Sequence, residues 1–162
     1  MDMLQLEIQF YKCVKFKMPQ MPMGELIHKA EQILVREGRL PSSKHSAKNI
    51  SYVECSFVDN AAIQKINKQF RGKNKPTDVV SLSYISPKKT RSTANYFLAG
   101  EIFISIPYAR KQAQDLGHAF DYEVSFLFIH GLLHVFGYDH EKPQDYKEMF
   151  DLTDEILMAY RT

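Results

Sequence analysis

His130-Gly131-Leu132-Leu133-His134-Val135-Phe136-Gly137-Tyr138-Asp139-His140 is the stretch whose reading decides this chain. Two of its histidines are four residues apart inside an apolar run. On a helix, residues four apart stack on one face, so both imidazoles reach toward one point. Gly137 stands where the helix would end in a left-handed residue and turn the chain back. His140 then approaches the same point from the loop. Three imidazoles converging without a fourth protein ligand form the pattern of a catalytic zinc site that keeps one position open. A lone histidine in an apolar helix is ordinarily a packed core residue, but here three of the chain's six fall within eleven residues. The other three, His28, His45 and His118, have no partner at ligand spacing. His28 reads as a helix residue and the other two as surface residues.

The spacing matches the His-Glu-x-x-His-x-x-Gly-x-x-His pattern of the metzincin proteases. The three histidines and the glycine coincide, but Gly131 replaces the glutamate that serves those enzymes as general base. The ligand set is kept and the carboxylate for peptide hydrolysis is absent. Glycine inside a helix costs about 1 kcal/mol relative to alanine, so a small residue at 131 suggests close approach of another backbone or of substrate.

Working outward, Leu4, Leu6, Ile8 and Phe10 alternate with polar residues, as in a half-buried strand. Residues 12–22 are irregular. A helix is predicted over 23–38 from the stripe Leu26, Ile27, Ala30, Ile33 and Leu34, then a polar loop over 39–48 and a strand over 50–57. Asp59 caps a helix running to about Phe70. Residues 71–78 form a basic loop, 79–85 a strand, 86–95 a second basic loop and 99–105 a strand. Helices follow over 107–116, 121–136 and 144–160, the middle one carrying His130 and His134. The order is α+β. The sheet of four strands should be mixed, because the third and fourth strands are joined by a loop rather than a helix, and about five helices pack against it.

A length of 162 residues fits one domain spanning 1–162. A formal net charge of +2 leaves any nucleic acid to be met by local basic patches. Cys13 and Cys55 form no Cys-x-x-Cys pair, so reduced, buried thiols in a cytoplasmic protein are expected. The first residues lack a basic segment followed by an apolar one, so no secretory signal is read there. No apolar run reaches membrane-spanning length, so no membrane association is expected.

A zinc ion held by three neutral imidazoles keeps its full charge and brings the pKa of a bound water near 7. Three imidazoles also suit nickel, copper or iron. Arg71, Lys73 and Lys75 in one loop, and Lys88, Lys89 and Arg91 in the other, would make a phosphate-binding rim if both loops flank the metal. Arg71 is the candidate clamp for the scissile phosphate, because guanidinium pairs hydrogen bonds to phosphate oxygens. Charge runs in loops are also ordinary solvated surface. Thr77 and Asp78 can fix their loop through side-chain hydrogen bonds. Glu101 is either a carboxylate near the site or an outward-facing strand residue. Asp139 either orients a ligand imidazole or stabilises its turn.

The histidine stretch resembles the signature His-Gly-x-Leu-His-Leu-x-Gly-Tyr-Asp-His of the YbeY family of bacterial rRNA maturation factors. Two more segments are similar to that family's motifs: residues 66–73 with Pro76-Thr77-Asp78-Val79-Val80-Ser81, and Leu98-Ala99-Gly100-Glu101-Ile102-Phe103-Ile104-Ser105. The resemblance implies a zincin-like α+β fold and a zinc-dependent, single-strand-specific endoribonuclease, with one zinc per chain. It implies a role in ribosomal RNA maturation at the 16S rRNA 3′ end and in ribosome quality control, with the small ribosomal subunit as partner and no DNA substrate. His130, His134 and His140 would be the ligands, His130 and Arg71 the catalytic residues, and Arg71 with Lys73 and Lys75 the substrate contacts. Leu82, Ser83-Tyr84 and Glu101 depart from the usual Phe, Pro and Asp of the family. A non-catalytic RNA-binding assembly factor with a structural metal is the competing reading, which a fourth protein ligand would favour. A metallopeptidase is the third, and Gly131 argues against it.

Overall fold

The computed structural model describes residues 6–20, 22–40, 50–85 and 96–161. Its elements run β1 (Leu6–Lys12), α1 (Met23–Arg36), β2 (Ile50–Val58), α2 (Asn60–Arg71), β3 (Val79–Ser83), β4 (Tyr96–Ser105), α3 (Ile106–Leu116), α4 (Phe120–Val135) and α5 (Pro143–Arg161). The sheet order is β1-β2-β4-β3, with β1 and β2 parallel, β2 and β4 parallel, and β3 antiparallel to β4. This is the mixed α+β arrangement that the element order implies. Leu4, the loop over 41–48 with His45, and the basic residues Lys88, Lys89 and Arg91 lie outside the described residues.

Alternation divides the sheet between two apolar clusters. Val53, Cys55, Phe57, Ile102 and Ile104 face the main core, which α1, α4 and α5 close. Val80 and Phe103 face the other way, into a small cluster with Ile63 and Ile66 of α2. Helix α4 is apolar around most of its circumference, as expected for a helix enclosed on several sides. It packs across β3 and β4 on one side and against α3 and α5 on the others.

Two glycines set how closely α4 approaches the sheet. A Cβ at Gly100 would lie 2.6 Å from Val135 Cγ1 and would also strike the Leu82 carbonyl oxygen. A Cβ at Gly131 would lie 2.9 Å from Ile102 Cγ2 and 3.0 Å from Ser81 Oγ. Position 131 therefore faces the sheet, and what approaches it closely is a pair of sheet side chains, not another backbone or a substrate. The Ser83 hydroxyl donates to the Val135 carbonyl at 2.6 Å, satisfying a helix-end acceptor from the edge strand.

Element boundaries shift where pairing decides them. β4 begins at Tyr96 rather than 99, because Tyr96, Phe97 and Leu98 pair with Ile50, Ser51 and Tyr52. The Tyr52 and Tyr96 rings stack there at 4.4 Å. β3 ends at Ser83 rather than 85. Arg71 is the last residue of α2 and not a loop residue, since Gly72 takes φ +70 and closes the helix one position later. Cys55 is buried and its thiol is pushed up by burial, but Cys13 is exposed. The Cys13 amide still donates to the Phe57 carbonyl at 2.9 Å, so the backbone stays tied to the sheet while the side chain leaves it.

Gly100→Ala should lower stability by about 2 kcal/mol or more, because a backbone oxygen and a packed Val135 must both move. Thermal denaturation should show a midpoint several degrees lower. Gly24→Ala in α1, where a Cβ meets nothing within 4 Å, should stay within about 1 kcal/mol of the parent. Equal midpoints for the two variants would contradict the close-packing reading.

Candidate metal centre

His130 and His134 lie one turn apart on α4, with their Nε2 atoms 3.2 Å from each other. Two nitrogens at 2.0–2.1 Å from one tetrahedral ion stand roughly 3.3 Å apart, so this pair is already at ligand spacing. His140 arrives through the helix end. Gly137 takes φ +94, its amide donates to the His134 carbonyl at 3.0 Å, and the Tyr138 amide donates to the Leu133 carbonyl at 3.0 Å. That pair of bonds is the Schellman ending of a helix. Tyr138 is buried, with the Arg39 guanidinium 4.5 Å over its ring. The Asp139 carboxylate accepts from the His140 amide at 2.7 Å, which fixes the turn. One ligand atom from each of the three histidines then falls within 4.8 Å of the others, and among the described residues no fourth such group joins them.

Burial, aided by the neighbouring imidazoles, brings His130 down to about 4. Burial also lowers His134, with His140 adding to the effect. Both rings are therefore neutral at physiological pH and offer lone pairs rather than protons, which is what metal ligation requires. The Phe126 ring lies 5.8 Å from His130 at an interplanar angle of 20°, covering one face of that imidazole.

The three histidines line an open cleft of about 680 Å³, together with Arg71, Asp78, Ser81, Ser83 and Asp139. Arg71 reaches it from the end of α2. Lys73 and Lys75 are exposed in the following turn and are not among the lining residues. Asn67 organises that turn: its Nδ2 donates to the Lys75 carbonyl at 2.9 Å, and its carbonyl accepts from the Lys73 amide. Asp78 Oδ1 accepts from the Val79 amide at 2.7 Å and from the Thr77 hydroxyl at 3.2 Å, as loop-fixing residues should. Glu101 accepts from the Tyr84 hydroxyl and does not line the cleft.

Sequence reasoning did not find Phe126 or the link behind Asp78. Gln112 Nε2 donates to Asp78 Oδ2 at 3.0 Å and to the buried Glu123 Oε1 at 2.7 Å, joining α3, α4 and the β3 entrance. Phe126 carries a signal, its four-residue spacing from His130. Gln112 carries none, because its partners are distant in sequence.

A family model described as Endoribonuclease YbeY matches residues 17–161. Endoribonuclease YbeY of Streptococcus mutans is 40% identical over 135 residues, covering 74% of this chain and 82% of its own length. Endoribonuclease YbeY of Lactococcus lactis subsp. lactis is 36% identical over 150 residues, covering 85% and 90%. A Thermotoga maritima protein solved in solution superposes with a TM-score of 0.53 at 20% identity, over 95% of this chain and 91% of that one, a likeness of fold.

Replacing His130, His134 or His140 by alanine should strip most of the bound metal, read by elemental analysis of protein purified without a histidine tag. Stoichiometric metal in the triple variant would place the ion elsewhere.

Proposed function

The chain belongs to the YbeY endoribonuclease family, and from that premise we propose that it cuts single-stranded RNA at a zinc site held by His130, His134 and His140. It is a metal-dependent hydrolase of phosphodiester bonds, and one domain over residues 1–162 carries the activity. The supporting observation is the cleft itself, where three converging imidazoles and one guanidinium face solvent with no fourth protein ligand among the described residues. An ion closed off by protein would suit a structural role, as in the assembly-factor reading. An open three-ligand site suits catalysis.

When bound, the ion supplies Lewis acidity, polarising a phosphoryl oxygen and acidifying water. The chain's own groups do the rest. Arg71 pairs with the scissile phosphate through its planar donors. Lys73 and Lys75, in the turn that Asn67 holds, meet neighbouring phosphates of the strand. His130 acts as ligand and as part of the catalytic wall, kept neutral by burial and the neighbouring imidazoles, with Phe126 over its face. Asp78 is held by three donors. Its negative charge faces His130, and it keeps the entrance to β3 in place beside Arg71.

Gly131 separates this site from a peptidase. A side chain there would crowd Ile102 and Ser81, and glycine itself presents no general base to a peptide. RNA is less dependent on such a base, because its own 2′-hydroxyl is an internal nucleophile.

The biological substrate we propose is ribosomal RNA, at the 16S rRNA 3′ end, on or near the small ribosomal subunit. The location we propose is the cytoplasm, and no helix among the described residues is long and apolar enough to cross a membrane.

Arg71→Ala should keep the melting midpoint within a few degrees, since the side chain is exposed. Cleavage should fall about a hundredfold or more, the scale for removing one charge-stabilising donor. The assay offers single-stranded RNA, duplex RNA and casein to one metal-loaded preparation, with and without chelator. Chelator-sensitive loss of single-stranded RNA alone is expected, weakening as salt rises. Proteolysis without RNA cleavage, lost in His134→Ala, would overturn the reading.

A further inference from the structure

Two large aromatic side chains stand in solvent beside the metal centre. Tyr146 is 55% exposed and Phe150 is 51% exposed, one turn apart on α5. The core face of that helix is carried by other residues, Met149, Leu152, Ile156 and Leu157. Scattered exposed hydrophobics need no explanation, but these two are not scattered. Their rings lie 6.2 Å apart and within 17° of parallel. The Tyr146 ring lies 6.5 Å from that of His140, edge to face.

Phe150 leads on to a second pocket of about 280 Å³, where the end of α3, the start of α4 and α5 meet. Tyr122 and Phe126 also line it, and Phe126 lines the metal cleft as well. An arc of aromatic faces thus leaves the metal centre over His140 and Tyr146, reaches the pocket at Phe150, and returns to His130 through Phe126.

We infer that Tyr146 and Phe150 are a stacking platform for nucleobases next to the scissile phosphate, and that the pocket beyond Phe150 receives one splayed base. The inference rests on the endoribonuclease reading above and names how that site holds its strand. Every base has an apolar face, so aromatic platforms grip single strands with little regard to sequence. Arg71 enters the cleft from α2 and the aromatic arc from α5, so phosphates and bases have separate walls. Glu123 and Asp154 line the smaller pocket together with Gln112 and His118, and among the described residues no lysine or arginine does so. The pocket therefore offers a phosphate no guanidinium or ammonium group, and the Asp154 carboxylate can accept from the exocyclic amine of a cytosine or adenine. Bases inside a duplex have covered faces and paired edges and cannot use either feature.

The test uses the metal-loaded full chain with Tyr146→Ala, Phe150→Ala, the double variant, and the conservative pair Tyr146→Phe and Phe150→Tyr. Melting midpoint and metal content serve as controls. Kd is read by stopped-flow anisotropy before cleavage proceeds, and KM and kcat are read on single-stranded oligonucleotides with and without abasic sites flanking the cut. Each alanine should raise Kd and KM about tenfold and leave kcat within about twofold, while the conservative pair keeps parental values. An abasic site should weaken binding to the parent by a similar factor and leave the double variant unaffected. Parental affinity in the double variant, or an abasic penalty that persists in it, overturns the platform. If the parent cleaves no RNA, the endoribonuclease reading fails, and the anisotropy comparison still decides whether these rings hold bases.

Discussion

Helix α4 lies against β3 and β4 at a distance that only glycine permits at two facing points. Gly100 on the strand and Gly131 on the helix each lack the atom that would collide, with Val135 in one case and with Ile102 and Ser81 in the other. The edge strand β3 follows from this contact, because Ser83 can then reach the last carbonyl of the helix. The cleft follows too. With α4 pressed onto the sheet, His130 and His134 open beside Ser81 and Ser83, and Arg71 is brought in from the other side by α2, which packs beneath β3. A larger residue at either glycine would lift the helix, and the ligands it carries would leave the reach of α2.

The third ligand depends on a different device. A helix end is usually frayed, yet here two backbone bonds, a buried Tyr138 and a side-chain bond from Asp139 fix three successive residues. His140 is exposed but its backbone is not free to wander. Two histidines on a rigid helix and one on a fixed turn bring three donor atoms toward one point.

Much of this was legible in the chain. The four-residue histidine spacing and Gly137 are local features, and so are the alternation of β2 and β4 and the Asp59 cap, which accepts from Ala62 at 2.8 Å. Periodicity and capping act over a few residues, so they survive in sequence. What was not legible depends on partners far along the chain. The early start of β4 is decided by pairing with β2. The link from Asp78 through Gln112 to Glu123 spans three elements, and nothing local marks Gln112. Tyr146 and Phe150 read only as part of an amphipathic helix, because periodicity cannot tell an exposed ring facing a ligand from one at the margin of the core. Arg71 was recognised as a cleft residue, but its place at the end of a helix turns on the φ of Gly72.

The charges of the cleft bear on the order in which metal and substrate matter. Its lining holds one guanidinium, Arg71, against three carboxylates, Asp78, Asp139 and Glu141. Without an ion this surface is formally negative and repels a phosphate backbone. A divalent cation held by the three histidines would offset that excess, and Arg71 would then meet a phosphate with less competition from the carboxylates around it. On the proposed reading the affinity of the cleft for RNA would be tied to its metal, whereas the aromatic rings on α5 would bind through uncharged faces and be indifferent to that sign. A strand held by both would owe its grip on bases to α5 and its phosphate register to the ion and Arg71. That division lets a mildly basic protein with an acidic cleft accept a polyanion at the one point where the chemistry occurs.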